Sequence, residues 1–133
     1  MGATVTMIFI AAAIIRDNQK RILICRRGAG GSCAYLWEFP GGKQEPGESL
    51  NECALRECME ELGIRIALDG ILGQATYSYP ERDVSITFFN AHITKGIPLK
   101  RVHTDILWVA PCDLYRYSFC PADEGIIKKL SGK

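Results

Sequence analysis

Glu57, Glu60 and Glu61 stand three and four residues apart, with Arg56 beside them. In an α-helix that spacing carries the three carboxylates to nearly the same face. Like charges so placed repel by a few tenths of a kcal/mol per exposed i,i+4 pair, and by more where the face is partly buried. A divalent cation relieves that repulsion, and Mg²⁺ and Mn²⁺ prefer such hard oxygen ligands. A solvated acidic face with Arg56 as its counter-ion is the competing explanation for the same four residues.

A helix is expected where the carboxylates need one. Ser49-Leu50-Asn51-Glu52 matches the capping box that opens a helix, and Gly63 suits its left-handed end. Upstream, Leu36 to Phe39 is a short apolar and aromatic segment. Pro40-Gly41-Gly42 is expected to stop it in a tight loop, and Pro46-Gly47 marks another turn. Thr4 to Ile15 and Arg21 to Arg27 read as strands joined by the polar turn Arg16-Asp17-Asn18-Gln19. Gly28 to Ser32 is glycine-rich but matches neither phosphate-binding glycine pattern, so a flexible loop is expected. Ile64 to Tyr79 and Val84 to Ile93 form a hairpin through Pro80-Glu81-Arg82-Asp83. Asp105 to Ala110 is a further strand, and Ile126, Ile127 and Leu130 give Ala122 to Leu130 the one-sided pattern of a second helix.

The 133 residues are 47% hydrophobic, enough for one domain with a sizeable core and too few for two ordinary ones, so residues 1–133 are expected to be a single domain. Lys and Arg number 16 against 15 Asp and Glu, which gives no electrostatic footprint for a nucleic-acid polymer or an anionic membrane. The longest apolar run, Met7 to Ile15, is far short of the roughly 20 residues that span a bilayer, and no basic segment of signal-peptide type precedes it. Cys25, Cys33, Cys53, Cys58, Cys112 and Cys120 include no C-x-x-C pair, so reduced thiols and a cytoplasmic location are expected.

The wider spacing then discriminates between the two explanations of the acidic face. From Gly42 the chain runs five residues to Glu48, seven more, and then Arg56-Glu57-Cys58-Met59-Glu60-Glu61-Leu62-Gly63-Ile64. This resembles the Nudix hydrolase signature, G-x5-E-x7-R-E-U-x-E-E-x-G-U with U apolar, at all nine specified positions. A chance match is on the order of 10⁻⁷, taking each fixed residue at roughly one in fifteen and each apolar one at roughly one in three. Cys58 is the one unusual choice, standing where Leu, Ile or Val is more frequent. The resemblance implies an α/β fold, the Nudix α/β/α sandwich with a mixed β-sheet. It implies that Glu57, Glu60 and Glu61 bind Mg²⁺ (or Mn²⁺) with the Gly41 carbonyl, that Glu48 assists through a water or an indirect contact, and that Arg56 orients carboxylates. The implied reaction is metal-assisted attack of water on phosphorus, with Glu57 the first choice of base.

Leu36-Trp37-Glu38-Phe39-Pro40-Gly41-Gly42-Lys43 further resembles the W-E-F-P-G-G-K run of the MutT-like nucleoside triphosphate pyrophosphatases of that family. By that resemblance Arg27, Phe39, Arg82 and Asp123 surround a nucleoside, with Phe39 beside the base and Asp123 bonding its edge. Glu38, Gly41, Gly42 and Lys43 face the substrate as well. Simpler roles stand beside these: Phe39 as core, Arg27 and Arg82 as solvated loop ends, Asp123 as a helix N-cap. Two departures matter. Bacterial MutT has Asn at the position of Asp123, and an ionised carboxylate only accepts hydrogen bonds where an amide also donates. Val102 stands where many relatives carry a loop Glu that serves the metals. His103 or Asp105 would then compensate, although a lone loop His is ordinarily exposed.

The expected function is a nucleoside triphosphate pyrophosphohydrolase releasing monophosphate and pyrophosphate, with oxidised purine dNTPs such as 8-oxo-dGTP as substrate and pool sanitation as role. CTP or dCTP hydrolysis comes second and ADP-ribose hydrolysis third. A non-catalytic nucleotide-binding Nudix domain is the alternative of a different class. Nothing in the sequence marks an oligomer interface.

Overall fold

The computed structural model describes residues 6–132; Thr4 and Val5, expected to begin the first strand, lie outside them. Strands β1 (Met7–Ile15), β6 (Asp83–Lys95), β5 (Arg65–Ser78) and β4 (Gly41–Lys43) form a mixed sheet in the order β4-β1-β6-β5. β1 runs parallel to β6, and the other pairings are antiparallel. A second, antiparallel sheet has the order β3-β2-β7, from β2 (Ile22–Arg26), β3 (Trp37–Glu38) and β7 (Asp105–Val109).

Side-chain alternation along β1 explains why helices cover both faces. Ala11, Ala13 and Ile15 pack toward helix α1 (Leu50–Leu62), meeting Cys53, Ala54, Cys58 and Leu62. Ala12 and Ile14 face the opposite way and join Ile24, Phe88, Leu114, Ile126 and Ile127, the last two from helix α2 (Glu124–Ser131). Small alanines at 11 to 13 let α1 and the second core layer approach the strand closely.

Three local expectations change. Gly41–Lys43 is an edge strand rather than a loop, with Ala12↔Gly41 and Ile10↔Lys43 in register. A side chain at Gly41, whose φ is +157°, would run into the Ala11 carbonyl, so only glycine lets this strand lie against β1. The apolar stretch before it shortens to Trp37–Glu38, and the expected start of the last helix at Ala122 is a 3₁₀ turn, Pro121–Asp123. A second 3₁₀ turn, Pro111–Arg116, had no helical periodicity to reveal it.

Candidate active site

The capping box forms as expected: the Ser49 hydroxyl accepts from the Glu52 N–H at 3.0 Å, and the Glu52 carboxylate accepts from the Ser49 N–H at 3.0 Å. Gly63 closes the helix at φ 68°, its N–H donating to the Met59 carbonyl. With Cys53, Ala54, Cys58 and Leu62 buried beneath, α1 turns its acidic residues toward β4.

Arg56 is the hub. Its guanidinium donates to Glu48 (2.9 Å to Oε1), Glu57 (2.8 Å), Glu60 (3.1 Å) and the Lys43 carbonyl (3.1 Å). The hydrogen bonds to Arg56 pull the Glu48 carboxyl down to about 2, so Glu48 is ionised throughout the neutral range. Glu57 moves the other way: burial raises it, against the hydrogen bond and charge of Arg56. Glu61 rises to about 8, through burial and then the Glu38 charge, although the Gly41 N–H donates to it at 3.3 Å. A Cβ at Gly42 would lie 2.6 Å from Glu57 Oε2, so glycine there keeps room for that carboxylate.

Glu57, Glu61, Gly41, Gly42 and Lys43 line one end of a cleft of about 430 Å³. Glu60 does not; its side chain is 58% exposed and paired with Arg56. Among the described residues no three acidic, histidine or cysteine side chains converge as a ready-made metal cage. The donor chemistry nonetheless fits a divalent cation. The Glu57, Glu61 and Glu38 carboxyls share one cleft in a space that Gly42 leaves open, burial pushes Glu57 and Glu61 up, and hard oxygens are the ligands Mg²⁺ and Mn²⁺ take.

The other end of the cleft contains Phe39, Arg27, Arg82, Glu38 and Asp123, so the residues the resemblance grouped around a nucleoside do share one cavity. Phe39 is also core, edge-on to Phe88 at 6.2 Å and tilted on Phe119 at 5.3 Å. Asp123 occupies the N-cap position of α2 but makes no side-chain cap bond. It is buried, and that burial, reinforced by the Glu38 charge and opposed by Arg27, pushes it well above the usual carboxylate range. Burial thus pushes Asp123 toward its neutral form, and a neutral carboxyl donates as well as accepts where an ionised one only accepts.

His103 corrects a second expectation. It is buried rather than exposed, and its Nε2 lies 3.0 Å from Glu38 Oε2. Asp105 is exposed at the start of β7, opposite Arg26. Sequence reasoning also missed Cys33, Tyr79 and Cys120 in the cleft wall. Ile10, Ala12, Val84 and Ile86 line it too, and strand alternation was the signal that placed those four on one face.

Fold and site define a hydrolase of phosphoanhydride bonds. Residues 11–129 match the family model described as a NUDIX domain, and the chain belongs to the Nudix hydrolase family. It is 34% identical over 121 residues to an 8-oxo-dGTP diphosphatase of Escherichia coli (strain K12), covering 91% of this chain and 94% of that one. It is 36% identical over 122 residues to a CTP pyrophosphohydrolase of the same organism, covering 88% and 86%. The crystal structure of a MutT protein from Methanosarcina mazei Go1 superposes with a TM-score of 0.86 at 26% identity, covering 98% and 97%. The α/β/α sandwich with a mixed sheet expected from the sequence is the fold of this family.

Proposed function

We propose that this protein is a divalent-cation-dependent nucleoside triphosphate pyrophosphohydrolase whose substrate is an oxidised purine deoxynucleotide such as 8-oxo-dGTP. The observation that carries the reading is the buried Asp123 in the same cleft as the α1 carboxylates, a carboxyl that burial pushes toward its neutral form. Guanine offers two acceptors, N7 and O6, on its major-groove edge. Oxidation at C8 turns N7 into an N–H donor beside the O6 acceptor, and a neutral carboxylic acid complements that pair with one acceptor and one donor. Phe39 supplies apolar surface beside it.

Glu57, Glu60, Glu61 and the Gly41 carbonyl would hold Mg²⁺ or Mn²⁺, which when bound neutralises phosphate oxygens and lowers the pKa of the attacking water. Arg56 orients Glu57 and keeps Glu48 ionised. Arg27, Lys43 and Arg82 meet the phosphates and sugar with positive charge. Glu57 takes the proton from water as the water oxygen bonds to phosphorus and the bridging anhydride bond breaks, leaving nucleoside monophosphate and pyrophosphate. The role we assign is sanitation of the cytoplasmic nucleotide pool, as a single Nudix domain; all six cysteines are free, and no helix among the described residues is long and apolar enough to cross a membrane.

CTP is the second reading, because cytosine's N3 and N4–H₂ also pair an acceptor with a donor and a CTP pyrophosphohydrolase is among the relatives. A Mg²⁺-dependent screen of the common dNTPs, 8-oxo-dGTP, CTP and ADP-ribose, following monophosphate and pyrophosphate, separates these. The expected result is the highest kcat/KM for 8-oxo-dGTP. Preference for CTP by tenfold or more selects the second reading, and turnover of nothing with either Mg²⁺ or Mn²⁺ defeats both.

A further inference from the structure

His103 sits in the connection between β6 and β7, which Thr104 pins to β2 by donating its N–H to the Arg26 carbonyl at 3.0 Å. Its side chain is 3% exposed. A carboxylate at neutral pH only accepts, so the 3.0 Å contact to Glu38 assigns the proton to Nε2. Nδ1 is then a buried nitrogen without a partner. Glu38 in turn accepts at its other oxygen from Arg27 Nη1, also at 3.0 Å. Arg27 Nε is likewise buried and unpartnered, and Arg27 and Glu38 both line the cleft. The two buried unpartnered side-chain nitrogens among the described residues thus belong to one three-residue chain, His103–Glu38–Arg27, that ends in the cleft wall.

We propose that His103 is a positioning residue of this site: its Nε2–H holds Glu38, and Glu38 holds Arg27 against the cleft wall so that it is in place to receive a phosphorylated ligand. Without the His103 hydrogen bond the flexible Glu38 side chain is free to swing toward solvent, taking the guanidinium with it. The role is ligand binding rather than bond breaking, because the chain of contacts reaches Arg27 and not Glu57. The inference rests on the nucleotide reading for its substrate, and its closing experiment has an arm that needs no turnover.

Full-length His103→Ala and His103→Gln are compared with the parent protein, using the best nucleotide from the screen and saturating Mg²⁺. His103→Ala is expected to raise KM about tenfold with kcat changed less than threefold, and His103→Gln, whose amide N–H reaches the same carboxylate, to recover KM to within threefold. An unchanged KM in His103→Ala, an equal fall of kcat alone, or no recovery in His103→Gln overturns the proposal. Independently of activity, long-range ¹H–¹⁵N spectra read the His103 ring. The Nε2–H form is expected, with its Nε2 resonance displaced in Glu38→Leu. An Nδ1–H ring, or a signal that ignores Glu38→Leu, overturns it. If no nucleotide is turned over, the proposed function fails and the ring spectra still decide the role of His103.

Discussion

The two ends of the cleft pair their carboxyls differently. At the α1 end Arg56 spreads one guanidinium over Glu48, Glu57 and Glu60, so the acids stay hydrogen-bonded and, at Glu48, firmly ionised. At the far end Asp123 has no cap bond, shares the cleft wall with Phe39, Ala122 and Cys120, and is driven toward its neutral form. Carboxylate chemistry here is thus set by surroundings and not by residue type. Around the α1 acids the fold supplies counter-charge through Arg56; around Asp123 it supplies burial and no cap bond. Each end should then fail in its own way.

Glu57→Gln attacks the charged end at its centre. We expect kcat to fall about 10³- to 10⁴-fold with KM nearly unchanged, measured at saturating Mg²⁺. Near-parental turnover would remove Glu57 as the base. Gly42→Ala is subtler: its Cβ meets the end of the Glu57 side chain, which swings aside at little cost to stability. The melting temperature should therefore hold while kcat drops about 10²-fold, the scale of an ångström-sized misplacement. If instead the protein loses stability and keeps its turnover, the glycine serves β4 packing and not the carboxylate.

The same contrast explains what the sequence disclosed. The α1 end was legible because it is local: a capping box, a glycine stop and fixed offsets between Gly42, Glu48 and Arg56 all lie within one stretch of chain. Even there, the strand pairing of Gly41–Lys43 was hidden, since two glycines announce a turn and only the neighbouring β1 alanines reveal a close-packed edge. The far end was less legible because its properties come from distant partners. Asp123 was recognisable by position, but the upward push on its carboxyl comes from burial and from Glu38, 85 positions away in the chain. His103 looked like an exposed loop residue because its partner Glu38 is 65 residues distant.

Asp123→Asn tests the buried end. A carboxyl whose folded pKa is raised contributes its full share of stability below the unfolded value near 3.8, and that share is lost as pH rises through the raised folded value. Asparagine has no charge to bury and keeps a donor and an acceptor at every pH. The variant should therefore melt roughly 3–6 °C higher than the parent at pH 8 and show a smaller difference at pH 5. Its kcat/KM for 8-oxo-dGTP should also gain on the parental value as pH rises and the parent carboxyl loses its proton, by up to about tenfold, about the energy of one hydrogen bond. A variant less stable than the parent at pH 8 would mean that Asp123 is ionised and paired.

Tyr79→Phe carries the smallest expected effect and isolates the two ends from each other. The Tyr79 hydroxyl accepts from the Ala122 N–H at 3.1 Å and so holds the 3₁₀ turn that presents Asp123. Losing it leaves an N–H in a buried residue without its partner, a cost of about 1–2 kcal/mol in urea unfolding. Because that turn presents Asp123, which we propose meets the base, KM should rise two- to threefold while the Mg²⁺ concentration for half-maximal kcat stays fixed. Combined with Glu57→Gln, the two losses should add, as they do for groups with no shared partner. A shift in Mg²⁺ dependence, or a marked departure from additivity, would show that the cleft works as one coupled network in which Glu38, facing both Glu61 and Asp123, transmits the charge state of either end to the other.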